Sequence, residues 1–191
     1  MGADIHGFVE CRATYGTLDE GKARWHAAMD LDLLYGGRSY DAFGCLFGVR
    51  NHAGFRPLAG DRGIPADVSS RTRQACQEWD PDGHSPSWIS WAELATVDWD
   101  EPAEAVDERV HEYTRTPDRD WVRTGKSFRG HQGRPEGAEW IEDGILLRVV
   151  RMVRRDAVPE DGEWAPVWKA MSALADVHGG ENVRLVVWFD N

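Results

Sequence analysis

The two ends of this chain constrain its fold more than anything between them. Residues 4 to 11 alternate, with Asp4, His6, Phe8 and Glu10 on one side and Ile5, Gly7, Val9 and Cys11 on the other, which is the two-residue period of a strand. The chain closes on Val183-Arg-Leu-Val-Val-Trp-Phe189, a β-branched and aromatic run of strand composition that ends in Asp190 and Asn191. Strands at both termini with helical patterns between them predict an α+β fold, with one sheet holding the terminal strands side by side and several helices packed on it. A chain of 191 residues has the length of one domain rather than two, so residues 1–191 are expected to form a single α+β domain.

Between the ends, Tyr15 to Lys22 reads as a turn region and Trp25 to Leu34 as a second strand with Leu31 and Leu33 on one face. Behind Ser39 or Asp41 as caps, Phe43, Leu46 and Phe47 recur at helical spacing and predict a short helix over 40–49. Residues 51–65 are rich in Gly and Pro and read as a long loop. Val68, Ala75, Cys76 and Trp79 then mark a helix begun near Asp67 or Ser69 and stopped by Asp80-Pro81-Asp82-Gly83. His84 to Ile89 is short enough only for a loop or strand, and Ser90 with Glu93 has capping-box spacing for a helix carrying Trp91 and Leu94. Residues 104–114 place Val106, Val110 and Tyr113 on one face, and 117–144 reads as a long loop. In 145–158 the apolar positions follow helical spacing with Arg148, Arg151 and Arg155 opposite, which predicts a helix, although the β-branched content keeps a strand open. Pro166 starts a last helix that carries Val167, Trp168, Met171, Leu174 and Ala175 on one face and stops at Gly179-Gly180.

Charge and cysteine usage narrow the function classes. A net charge of -11 opposes binding to duplex nucleic acid, because such binding draws on neutralising phosphates with Lys and Arg. No apolar run approaches the roughly 20 residues of a membrane helix, so no membrane partner is expected. The opening residues lack the basic and apolar regions of a signal peptide. Cys11, Cys45 and Cys76 are odd in number and widely spaced, which fits a reducing, cytoplasmic location.

Three groups of residues have the chemistry of a site. Asp4 and His6 leave the same strand face about 7 Å apart at Cα, where a carboxylate beside an imidazole can bind a divalent metal or orient a general base. Asp82-Gly83-His84-Ser85-Pro86-Ser87-Trp88 gathers an acid, an imidazole and hydroxyls in one turn, with Trp88 as a stacking surface. Arg38, Arg50 and Arg62 lie in or beside loops and can clamp a phosphate or carboxylate. For each there is a plainer role: His6 as a hydrogen-bonded scaffold histidine, Ser85 and Ser87 as partners of backbone groups, and each arginine in a surface ion pair. Ten tryptophans are many for this length, and most are expected in the core.

Several segments together resemble a family of small phage-associated bacterial proteins, many of which begin Met-Gly-Cys-Asp-Ile-His. They are Met1-Gly-Ala-Asp-Ile-His6, Arg38-Ser-Tyr40, Val49-Arg50, Arg62-Gly-Ile-Pro65, Asp82-Gly-His-Ser85 with Ser87-Trp88, and Val183 to Asn191. The resemblance runs in order through most of the chain but leaves out the region 100–145. Ala3 stands where that family usually has Cys, so no thiol role carries over to this position. The resemblance implies a cytosolic, phage-type accessory protein and carries no mechanism with it.

Three functions compete on these residues. One is a metal-assisted hydrolase or transferase for a phosphorylated or nucleotide-like molecule. In it Asp4, His6 and His84 bind metal, Asp4, His6, Asp82 and His84 transfer protons, and Arg38, Tyr40, Arg50, Arg62, Ser85 and Trp88 hold a small anionic ligand. The second is a non-catalytic protein that sequesters such a ligand or blocks a host protein. The third is an interaction domain in which these side chains are scaffold.

Overall fold

The computed structural model describes residues 2–13, 24–118 and 120–191; the turn expected at Tyr15 to Lys22 lies outside them. In chain order the elements are β1 (Asp4–Arg12), β2 (Trp25–Asp30), a 3-10 turn (Leu31–Leu33), α1 (Tyr40–Phe47), α2 (Ser70–Glu78), β3 (His84–Ser90), α3 (Trp91–Leu94), β4 (Val110–Arg115), β5 (Trp121–Ser127), β6 (Glu139–Glu142), β7 (Ile145–Arg148), α4 (Arg154–Ala157), α5 (Ala165–His178) and β8 (Val183–Asp190). The strands form two antiparallel sheets, ordered β2-β1-β8-β3 and β5-β4-β7-β6.

The terminal strands are direct neighbours, in register from Asp4 opposite Asp190 to Cys11 opposite Val183. Gly7 permits this pairing: a Cβ there would fall 2.1 Å from the Val186 carbonyl oxygen. The alternation read from the sequence sorts the two faces of this sheet. Ile5, Val9, Leu185, Val187 and Phe189 join Phe43 and Leu46 of α1 and Val167 and Met171 of α5 in the main core. Each fully buried side chain of this kind contributes about 1.5–3 kcal/mol. The other face carries His6, Phe8, Glu10, Arg184 and Trp188, where Phe8 and Trp188 pack on Ala75 of α2.

Local chemistry sets the helix ends. Ser39 Oγ accepts from the Ala42 N–H and Ser69 Oγ from the Thr72 N–H, while Gly48 at φ 81 closes α1 in the left-handed conformation. Ser90 and Glu93 form the reciprocal capping box that starts α3. Glu10, on the same face as His6, belongs to the scaffold: its buried carboxylate holds Arg184 at 2.8 and 2.9 Å and accepts from the Ser69 N–H.

Three expectations are corrected. The region 117–144 is not one loop, because it contains β5 and β6, and 145–158 is not a helix. Ile145–Arg148 is a strand paired on both edges, with β4 and β6, and the chain then runs to the single turn of α4. Pairing with β6 through the tight Asp143-Gly144 turn and with the more distant β4 overrides the helical spacing of the apolar residues here. The expected strand at 25–34 stops at Asp30, where Leu31–Leu33 turns as a 3-10 segment. Among the described residues, no helix is long and apolar enough to cross a membrane.

The second sheet is anchored to the first layer by buried charge. Asp107 accepts from Arg109 Nε and Lys126 Nζ, both at 2.8 Å, and lies 3.2 Å from His111 Nε2. Asp41 of α1 takes the other sides of the same two cations, Arg109 at 2.5 Å and Lys126 at 2.8 Å. Burial alone would raise the Asp107 pKa, but the bonds from His111, Arg109 and Lys126 hold it well below the usual carboxylate range.

Candidate functional site

The antiparallel register brings Asp4, His6, Trp188, Asp190 and His84 to one end of the terminal sheet, because the first strand starts where the last one ends. His6 lies opposite Trp188 and stacks on Trp79, the residue that caps α2, with ring centroids 4.1 Å apart and planes at 22°. Its Nε2 is 3.7 Å from Asp190 Oδ1 and its Nδ1 is 3.9 Å from Asp32 Oδ1. These separations exceed hydrogen-bond length, and both His6 Nε2 and Asp190 Oδ1 are buried with no partner. The carboxylates that face His6 are therefore Asp190 and Asp32.

Asp4, expected as the partner of His6, is occupied by Arg38 in a two-pronged pair at 2.7 and 2.5 Å. Tyr40 closes this corner by accepting from the Ala3 N–H at 3.2 Å. Arg50, at φ 51, donates to Asn191 at 3.0 Å on the same rim of the sheet. Asp4, Arg38, Tyr40, Arg50 and His6 are thus gathered by the chain ends.

The turn residues divide. His84 pairs with Phe189, next to the Trp188 that pairs with His6, and the pairing of β3 turns irregular between His84 and Ser87. The His84 ring lies 6.1 Å from that of Phe189, and its Nδ1 is 3.0 Å from Ser85 Oγ. With the hydroxyl donating to Nδ1, Nε2 carries the proton and is a buried donor without a partner. Ser85 has φ 48, an unfavourable conformation for a residue with a Cβ. A cleft of about 220 Å³ opens here, lined by Cys76, Gln77, Asp80, His84 and Trp188 among others, and the Trp188 indole N–H is also buried and unpartnered. His6 does not line this cleft.

Other expectations change. Asp82 is exposed in the turn, and Asp80 lines the cleft in its place. Arg62 is consumed by structure: it donates to the Trp88 and Leu58 carbonyls, pairs with Glu93 at 2.8 Å and lies over the Trp88 ring. That removes both Arg62 and Trp88 from the pocket. Ser87 donates to the Ala59 carbonyl. Asp4, His6 and His84 do not form a metal-binding group: Arg38 holds Asp4, and His84 lines a cleft that His6 does not. Among the described residues no cluster of three or more His, Cys, Asp or Glu side chains is placed to hold a metal ion. The cysteines are free; burial pushes the Cys45 thiol up to about 11 and raises those of Cys11 and Cys76.

Sequence reasoning missed Asp190, Asp32, Trp79 and Trp188. The first had a signal, because pairing the terminal strands end to end sets Asp190 beside Asp4. Comparison of the chain with protein-family models, with curated proteins and with solved structures finds no match.

Proposed function

We propose that this chain binds a small polar, nucleotide-like molecule at the open end of its terminal sheet, with His6 and His84 as the groups that exchange protons with it. The observation that carries this reading is the gathering of four buried, unpartnered polar atoms, His6 Nε2, His84 Nε2, Trp188 Nε1 and Asp190 Oδ1, on adjacent rows of β1, β8 and β3. An unsatisfied buried polar group costs about 1–3 kcal/mol, and folded proteins leave few of them. Three nitrogens and one carboxylate oxygen offer a ligand both donors and acceptors. A phosphorylated ligand would draw on Arg38 and Arg50 at the rim. The phage-type accessory role in a host cytoplasm rests on the sequence resemblance.

Binding is favoured over catalysis because Asp82, expected to transfer protons alongside His84, is exposed in the turn and does not line the cleft. The hydrolase or transferase reading keeps one observation of its own, the contact of Ser85 Oγ with His84. The test is a nucleoside and nucleotide panel followed by NMR of the side-chain nitrogens. A ligand that occupies the site shifts the Trp188 indole resonance and those of both imidazoles, and His6→Ala with Asp190→Asn weakens it. If binders are found that leave the Trp188 indole unmoved, or if no member of the panel binds, the reading is wrong.

A further inference from the structure

A second and larger cavity, about 570 Å³, lies between α3, the turn that follows it and α5, and shares no lining residue with the His84 cleft. Its volume falls in the range of small-molecule sites, about 300–1,000 Å³. Three tryptophans line it: Trp91 of α3, Trp99 beyond the turn and Trp168 of α5. Trp168 rests one side on the buried Trp164, ring centroids 5.2 Å apart and planes at 19°.

Four tryptophans elsewhere in the molecule are covered differently. Trp25, Trp88, Trp121 and Trp140 each lie under an arginine of this chain: Arg184 at 3.8 Å, Arg62 and Arg115 at 5.2 Å, and Arg134 at 4.1 Å. Among the described residues no Arg or Lys lies over the rings of Trp91, Trp99 or Trp168. The rim nevertheless carries the charges Glu160, Asp161, Lys169 and Arg155. Arg155 is neutralised by Asp100 at 2.6 Å, which leaves two carboxylates against one lysine. An indole face attracts cations through its quadrupole, more strongly where water is excluded. The overall charge of -11 adds to the same preference.

We infer that this cleft binds a small organic ammonium ion, held by the indoles of Trp91, Trp99 and Trp168, with Glu160 and Asp161 as its counter-charge. Hydrophobic contact alone would not distinguish such an ion from a neutral molecule of the same shape, whereas the cation–π interaction does.

The experiment titrates the full chain with choline and with 3,3-dimethylbutan-1-ol, its uncharged isostere, following tryptophan fluorescence and the indole N–H resonances. Choline is expected to saturate the site and to bind about tenfold or more tighter than the isostere. Glu160→Gln with Asp161→Asn, both exposed and outside the core, should weaken choline several-fold and leave the isostere unchanged. Trp99→Leu should remove the preference for the cation. Equal binding of the two probes overturns the assignment, as does the absence of any saturable change with choline or an effect of choline confined to the Trp188 indole.

Discussion

His111 and His6 are both imidazoles set against aspartates, in opposite circumstances. His111 is buried on β4 with Nε2 3.2 Å from Asp107, whose remaining capacity is filled by Arg109 and Lys126. His6, with its side chain 18% exposed, stands 3.7 Å from Asp190 with no group closing the gap. The first arrangement is complete within the chain and ties a sheet to a helix. The second lacks a partner at both of its facing atoms. Titratable residues cluster in both regions, so clustering alone does not mark a site; incompleteness does.

The largest effect that can break this comparison lies on the complete side. Asp107→Ala leaves Arg109 and Lys126 facing each other with only Asp41 to balance them, and should cost about 3–5 kcal/mol in urea unfolding. A loss below about 1 kcal/mol would mean that the cluster is not a structural joint. The pH dependence sharpens the same point. Asp41 and Asp107 are both held below their ordinary value of 3.8, although burial opposes the lowering, by Lys126 and Arg109 at Asp41 and by His111, Arg109 and Lys126 at Asp107. Depressed carboxylates contribute stability that is present above the unfolded value and lost as pH falls through the folded one. Urea midpoints should therefore hold above about pH 5 and fall below about pH 4, and the fall should be shallower in Asp107→Asn. An unchanged acid limb in that variant would show that Asp107 does not stabilise the fold as a charge.

The two regions also differ in how far the sequence disclosed them. The open corner was half legible because it lies on short-range patterns: the alternation of β1 put Asp4 and His6 on one face, and Ser39, Ser69 and the Ser90–Glu93 box marked helix starts. The complete cluster was not legible, because Asp41, Asp107, His111 and Lys126 come from a helix, a loop and two strands that meet only after folding. The strands around it hide for a related reason. β5 has no fully buried residue and carries no alternating apolar signal. Its sheet is held instead by cross-strand pairing and by arginines laid on rings, such as Arg115 on Trp121 and Arg148 on Tyr113. Such contacts leave no period in the sequence.

A smaller effect is expected at the rim of the open corner. Asp4 and Arg38 are about half exposed, so their pair, though two-pronged, is screened by water and salt. Asp4→Asn should cost no more than about 1 kcal/mol, and added salt should erase most of the difference. A larger loss that resists salt would place Asp4 in the scaffold, as Asp107 is, and would move the boundary of the incomplete region inward to His6.

The smallest change in stability should come from His6→Leu, and its sign is the informative part. The substitution removes an imidazole nitrogen that has no partner and puts apolar atoms against the Trp79 ring, while Asp190 loses no hydrogen bond, since it had none with His6. Replacing an unsatisfied polar group by an apolar one of similar size is neutral or stabilising, so urea unfolding should change by less than about 1 kcal/mol and toward greater stability. A stabilising change accompanied by loss of the Trp188-linked ligand response would show a residue kept at the expense of stability. A destabilisation above about 2 kcal/mol would instead show that His6 is already satisfied in the folded chain, and the contrast with His111 would vanish.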